Sequence, residues 1–220
     1  MKFTVLTSLA LLALPGSPAH AQLIARTHPT VTTHLTVRPD SRLWIEGSSN
    51  LRDWSCEATA LDAAVDVARA RGHGGMEAVG RLRRFQVRVP VTALKCGRGQ
   101  MDRIMYKALR ADDEPECRQI VGNFDVVATD NEGEYSLKTA GILRVAGREN
   151  AVQLDVAVEE RPDGTLRAQG ALPILMTDYG IKPPTALFGV IRTDNRIVVK
   201  FDLLVDRQAT ITTASAGERE

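Results

Sequence analysis

Cysteine, histidine and serine are the residues of this chain whose types and spacing could support chemistry. Cys56, Cys96 and Cys117 are its three cysteines, an odd number that lets one disulfide form and leaves one thiol over. A reactive thiol needs a neighbouring His or Lys to lower its pKa, and Cys117, two residues after Pro115, reads more simply as a small buried hydrophobe. The four histidines, His20, His28, His34 and His73, stand at spacings that fit no zinc motif, so the metal-ligating set is empty. "GHGGMEAVG" (Gly72 to Gly80) is glycine-rich but lacks the following Lys-Ser/Thr of a phosphate cradle and reads as a turn between strands. No G-x-S-x-G elbow occurs. Ser48, Ser49 and Asp53 could lie near His34, yet nothing positions a base. A hydrolase or redox reading therefore rests on Cys117 and scattered acids, and the catalytic set is empty as well. What remains is "WIEGSSNLRDWSC" (Trp44 to Cys56), a strand that breaks into polar residues and ends on Trp-Ser-Cys. It marks either a site or the first corner of a β-fold.

The elements around it alternate with period 2. In "FQVRVPV", Phe85, Val87, Val89 and Val91 alternate with Gln86, Arg88 and Pro90, as a strand with one buried face requires. The same pattern runs through "SRLWIEG", "ALDAAVDVARA", "NFDVVA", "YSLKTAGILRVAG", "AVQLDVAVEE", "TLRAQGALPILM" and "RIVVKFDLLVD". Between them "RGHGG", "DNEGE", "AGREN" and "RPDGT" carry the residues of tight turns. One segment has helical spacing: Met101, Ile104, Met105, Ala108 and Leu109 share a face, and Pro115 is expected to stop it. So many antiparallel strands must hide their edges, and closure into a barrel does so.

The N-terminus reads as a secretory signal, residues 1–21. Lys2 precedes the apolar run Phe3 to Leu14, and Ala19-His20-Ala21 fits signal peptidase. Cleavage there would deliver the chain to a periplasmic or secreted location, with a domain at 22–206 and a small, polar, disordered tail at 207–220. Across the chain 28 Lys and Arg face 27 Asp and Glu, a balance that argues against a nucleic-acid partner. The arginine-rich stretch Arg69, Arg71, Arg81, Arg83, Arg84 and Arg88 reads as a solvated strand face, or as a surface for transient contact with anionic lipid.

From about Ser41 to Asp206 the chain resembles the YceI-like family of exported, lipocalin-like β-barrel proteins. "SRLWIEGSSN" looks like the family's opening strand, and "LKTAGILRVAGREN" is similar to its G-x-L-x-apolar-x-G strand and basic turn. "ILMTDYGI" (Ile174 to Ile181) resembles its R-S-D-F-G-I element. Two positions depart: Met176 replaces the basic residue before that element, and "GQMDRIMYKALRADDEPEC" replaces an R-D-x-H-L segment. Contacts to a polar head group that used either position are not carried over.

The resemblance implies an all-β fold, an antiparallel lipocalin-like β-barrel of about eight strands with one short amphipathic helix. It implies binding rather than catalysis: a carrier of isoprenoid-type lipid or quinone, with no other cofactor. It leaves a homodimer open. On unbroken alternation the lining residues are Leu43, Ile45, Phe85, Val87, Val89 and Leu143 in the first strands, then Val199 and Phe201 in the last. The helix adds Met101 and Met105; Met176, Tyr179 and Phe188 come from the segment around the D-Y-G element. Tyr179 is expected to pass its hydroxyl to a buried partner. Among the three pairings of the cysteines, a sub-branch with Trp-x-Cys in the first hairpin and Leu-x-Cys before a Met-rich helix favours Cys56 with Cys96. The polar stretch would then be a rim corner, with Ser48, Ser49, Asn50 and Asp53 tying down backbone and Trp54 capping one end. The competing reading is an interaction module whose barrel its own side chains fill. Ala63, Ala128, Gly141 and Gly170, small residues in strands, are expected to leave room instead.

Overall fold

The computed structural model describes residues 30–34, 37–68, 79–130, 135–206 and 210–211. In chain order its elements are β1 (Thr30–His34), β2 (Arg42–Ser49), β3 (Trp54–Ala58), β4 (Asp62–Ala68), β5 (Leu82–Pro90) and β6 (Leu94–Lys95). Helix α1 (Gly99–Ala108) follows, then β7 (Gln119–Asp130), β8 (Tyr135–Val145), β9 (Arg148–Glu160) and β10 (Leu166–Leu175). The last elements are β11 (Thr185–Ala186), β12 (Ile191–Val205) and β13 (Thr210–Ile211). Each of the eight alternating segments forms a strand; the remaining strands are of five residues or two, too short for alternation to be visible.

One antiparallel sheet holds them in the order β13-β1-β4-β5-β7-β8-β9-β10-β12-β2-β3-β6, with β11 on β12. β3 lies near one end of this order and β4 near the other, yet only residues 59–61 separate them in sequence. The sheet must curl to satisfy that link. Val37, beyond β1, also bridges Val205 of β12. The result is the all-β lipocalin-like barrel.

The curl sorts the two faces. Outside, charges pair across strands: Arg84 with Asp125 at 2.8 Å, Lys200 with Glu46 at 2.7 Å, and Arg167 with Asp202 at 2.6 Å. The pairs of Arg84 and Lys200 stand in solvent and add at most about 1 kcal/mol each, while that of Arg167 is half-buried; together they make the outer face polar. Inside, Phe124, Leu137, Leu143, Leu154, Val156 and Leu172 are buried. Polar outside and apolar inside is the reverse of a barrel built to face lipid.

Glycines permit close approach rather than leaving volume. Gly47 stands opposite Trp54, and Gly170 opposite Phe201, in neighbouring strands. In both pairs the ring lies where a Cβ would be, at 2.5 Å for Gly170. Gly141 likewise lets β8 press on the backbone of Asn123. The room expected from Gly141 and Gly170 is thus taken, and Ala128 is exposed; only Ala63 of that group faces the interior.

Two further expectations need correcting. Thr210 and Ile211, placed in a disordered tail, pair with β1. Helix α1 ends well before Pro115, because Arg110 turns into the left-handed region at φ 56°. The arginine there donates to Glu114 at 3.1 Å and to the Ala146 carbonyl. The signal segment, residues 1–21, lies outside the described residues.

Candidate functional site

The barrel encloses a cavity of about 560 Å³ that meets solvent where the exposed lining residues Leu51, Arg52, Arg98 and Leu187 stand. Its wall is built from the inward side chains of the strands and from one face of α1. Leu43 and Ile45 of β2, Phe85, Val87 and Val89 of β5, and Leu143 of β8 line it, as do Val199 and Phe201 of β12. Phe85 stacks on Phe124 with ring centroids 4.8 Å apart. Met101 and Met105 line it from α1, beside Ile104, Ala108 and Leu109. Met176 and Tyr179 complete the set from the turn after β10.

Phe188 does not belong there. It sits at the tip of the turn between β11 and β12 with φ 56°, and its ring is wholly exposed. The alternation that places an inward residue does not run through a turn. Conversely, Leu154, Val156 and Val158 of β9 line the cavity and were absent from the expected set, although "AVQLDVAVEE" carries the alternation that identifies them.

Helix α1 is held against the wall by its polar side chains. Asp102 accepts a hydrogen bond from the Cys96 amide at 2.8 Å. The Tyr106 hydroxyl donates to the Leu94 carbonyl at 2.8 Å and accepts from Lys95 at 2.8 Å. Cys96 is disulfide-bonded to Cys56, and both residues line the cavity. The bridge therefore staples the segment leading into α1 to strand β3.

The stretch that opened the question is a rim corner. Ser49 Oγ accepts from the Arg52 amide at 3.2 Å and donates to its carbonyl at 2.8 Å. Asn50 reaches across to the turn before β12, donating to the Val190 carbonyl at 2.9 Å and accepting from the Arg192 amide at 2.8 Å. Ser48 donates to Asp194 at 2.6 Å, and the Trp54 indole donates to the Ser48 carbonyl at 3.1 Å. Asp53 has no hydrogen-bond partner among the described residues. Trp54 lines the cavity at this end.

Among the described residues the charged side chains in the wall are Arg52 and Arg98, and none is an acid. Neither arginine has an acidic partner among the described residues, unlike Arg42, Arg84 and Arg167. They offer an anionic or strongly dipolar group a place at the opening. Sequence reading missed both, because each lies in a loop.

Tyr179 departs from expectation in its hydroxyl. The residue is 2 % exposed, and its hydroxyl has no partner among the described residues. Burial, aided by Asp178, pushes its pKa up to about 12, so the phenol stays neutral. Cys117 is fully buried, and desolvation pushes its thiol up, opposite to what a nucleophile requires. Among the described residues no cluster of His, Cys, Asp and Glu could hold a metal; His28 and His73 lie outside them.

No family model matches the sequence, and no curated protein matches it. Solved structures do. Burkholderia cenocepacia BcnA superposes with a TM-score of 0.59 at 14% identity, over 78% of this chain and 100% of that one. A polyisoprenoid binding domain from Saccharophagus degradans, implicated in plant cell wall breakdown, gives 0.56 at 12% identity, over 80% and 98%. An engineered Campylobacter jejuni YCEI protein gives 0.50 at 15%, over 70% and 85%. The fold is that of the YceI-like proteins. At these identities the likeness is one of architecture. Within the YceI-like architecture, the apolar wall, the two rim arginines and the stapled helix are features of this chain's own residues.

Proposed function

We propose that the protein is exported and binds an apolar, isoprenoid-type lipid inside its barrel, without chemistry. The observation that carries this reading is the cavity: about 560 Å³, walled by aliphatic, aromatic and thioether side chains. That volume is in the range of sites for small apolar ligands, and each CH₂ removed from water is worth about 0.8 kcal/mol. Methionines on α1 suit a flexible, irregular guest because thioethers repack easily. The polar end of the guest stays at the opening beside Arg52 and Arg98. The polyisoprenoid-binding neighbour supports the class of cargo, and the disulfide and the N-terminal signal pattern support export.

Native mass spectrometry of the protein purified from the exported fraction, followed by organic extraction, tests the proposal. A stoichiometric isoprenoid lipid is expected. A mass that stays bare after incubation with quinones and polyprenols would sink it.

A further inference from the structure

Around the opening, large apolar side chains stand in solvent. Leu51 is 66% exposed, Leu187 62%, Val190 70%, and Phe188 wholly so. Among the described residues the other exposed large hydrophobics, Val127, Ile142 and Leu175, are scattered along separate strands. Leu51 and Leu187 also line the cavity, so they are shared between its wall and the outer surface.

This exposure is held in place. Leu187 and Phe188 have φ 48° and 56°, followed by Gly189 at 88°. Two successive left-handed residues suit Asn-Gly, and bulky side chains are disfavoured there. The turn is closed by Gly189 N to Ala186 O at 3.1 Å and Val190 N to Leu187 O at 3.2 Å. Asn50 then ties it to the loop bearing Leu51 through Val190 and Arg192. Backbone strain and apolar exposure coincide at the entrance to an apolar cavity.

We propose that this rim, Leu51 with Leu187, Phe188 and Val190, docks on an anionic bilayer, where cargo enters and leaves. The inference rests on reading the cavity as a lipid site: such a guest must come from an apolar phase, and the rim spares it a passage through water. Arg52 and Arg98 give the opening a positive sign; Asp53, beside Arg52, and Asp194, near the start of β12, do not line it. A second copy of the chain fits less well, since a stable interface buries about 800 Å² per partner and two loop tips present a convex point.

The test compares the wild type with a Phe188→Gly, Val190→Asn double variant, whose glycine accepts the left-handed backbone and neither of whose positions lines the cavity. Vesicles of phosphatidylglycerol and phosphatidylcholine are floated with each protein, and transfer of NBD-labelled farnesol to the vesicles is timed. The wild type is expected to float at least about tenfold more than the variant, as loss of the inserted apolar area predicts, and less with phosphatidylcholine alone. Transfer should quicken with vesicle concentration for the wild type only, while both bind the farnesol probe in solution to within about twofold. Equal flotation of the two proteins overturns docking. So does a concentration-dependent dimer, in sedimentation velocity, that the variant abolishes without either protein floating. Absence of probe binding by a wild type that floats would count against the cavity reading alone.

Discussion

A tyrosine hydroxyl sealed in an apolar wall without a partner is a cost the fold carries. Tyr179 is 2 % exposed and its hydroxyl has no partner among the described residues. Tyr179→Phe should therefore hold stability or raise it by about 1 kcal/mol in urea unfolding, where loss of a satisfied hydroxyl would lower it. The same residue gives a pH dependence whose sign follows from burial. The folded phenol keeps its proton up to about 12, while the unfolded chain releases it near 10. The unfolded state then binds fewer protons, so stability falls as pH rises above about 10, and it should fall less in Tyr179→Phe. Urea midpoints at pH 9 and about pH 11 check this. At the opening, a double change of Arg52 and Arg98 to Gln should weaken a farnesyl phosphate about tenfold while leaving farnesol unchanged, read by competition with a fluorescent probe. Residues like Tyr179 show where sequence reading runs out. Its place in "MTDYGI" marked a buried corner, but whether a partner oxygen reaches the hydroxyl depends on strands far apart in the chain.

Elements were legible to the extent that they repeat. β5, β9 and β12 alternate over enough residues for period 2 to stand out, and α1 shows its apolar face by helical spacing. β3, β6 and β11 carry no such signal; they are held by pairing with longer strands. Turns split the same way. "AGREN" announces the β8–β9 turn through Gly147, whereas Leu187-Phe188 carries the side chains of a strand in the backbone of a turn. That mismatch put Phe188 among the expected lining residues. It also predicts that Leu187→Asn with Phe188→Gly raises stability by about 1–2 kcal/mol, measured by urea unfolding, because bulky side chains leave the left-handed region. The Cys56–Cys96 bridge acts at this scale too. It closes a separation of 40 residues, so reduction or a double Ser substitution should cost about 4 kcal/mol on the chain-entropy account and loosen α1.

For the whole molecule, the question left by the sequence was whether the barrel is filled or hollow. Small residues in strands pointed to a hollow, yet Gly170 is covered by Phe201 and Gly47 by Trp54. The hollow comes instead from closure. The sheet curls through the short link from β3 to β4, and α1 covers part of the wall without plugging it. No local pattern records a radius of curvature, so the cavity could not be read from alternation. A single substitution separates the two states. Val199, at the middle of β12 opposite Ile45 and Leu172, lines the cavity and is incompletely buried. In a filled barrel Val199→Trp would overpack the core and cost about 1–3 kcal/mol. In a hollow one the indole has room, stability holds, and the indole occupies the space of the guest. Urea unfolding and titration with NBD-labelled farnesol should accordingly show an unshifted midpoint together with binding weakened at least about tenfold. A midpoint that drops by the overpacking cost would instead mean that the barrel is full.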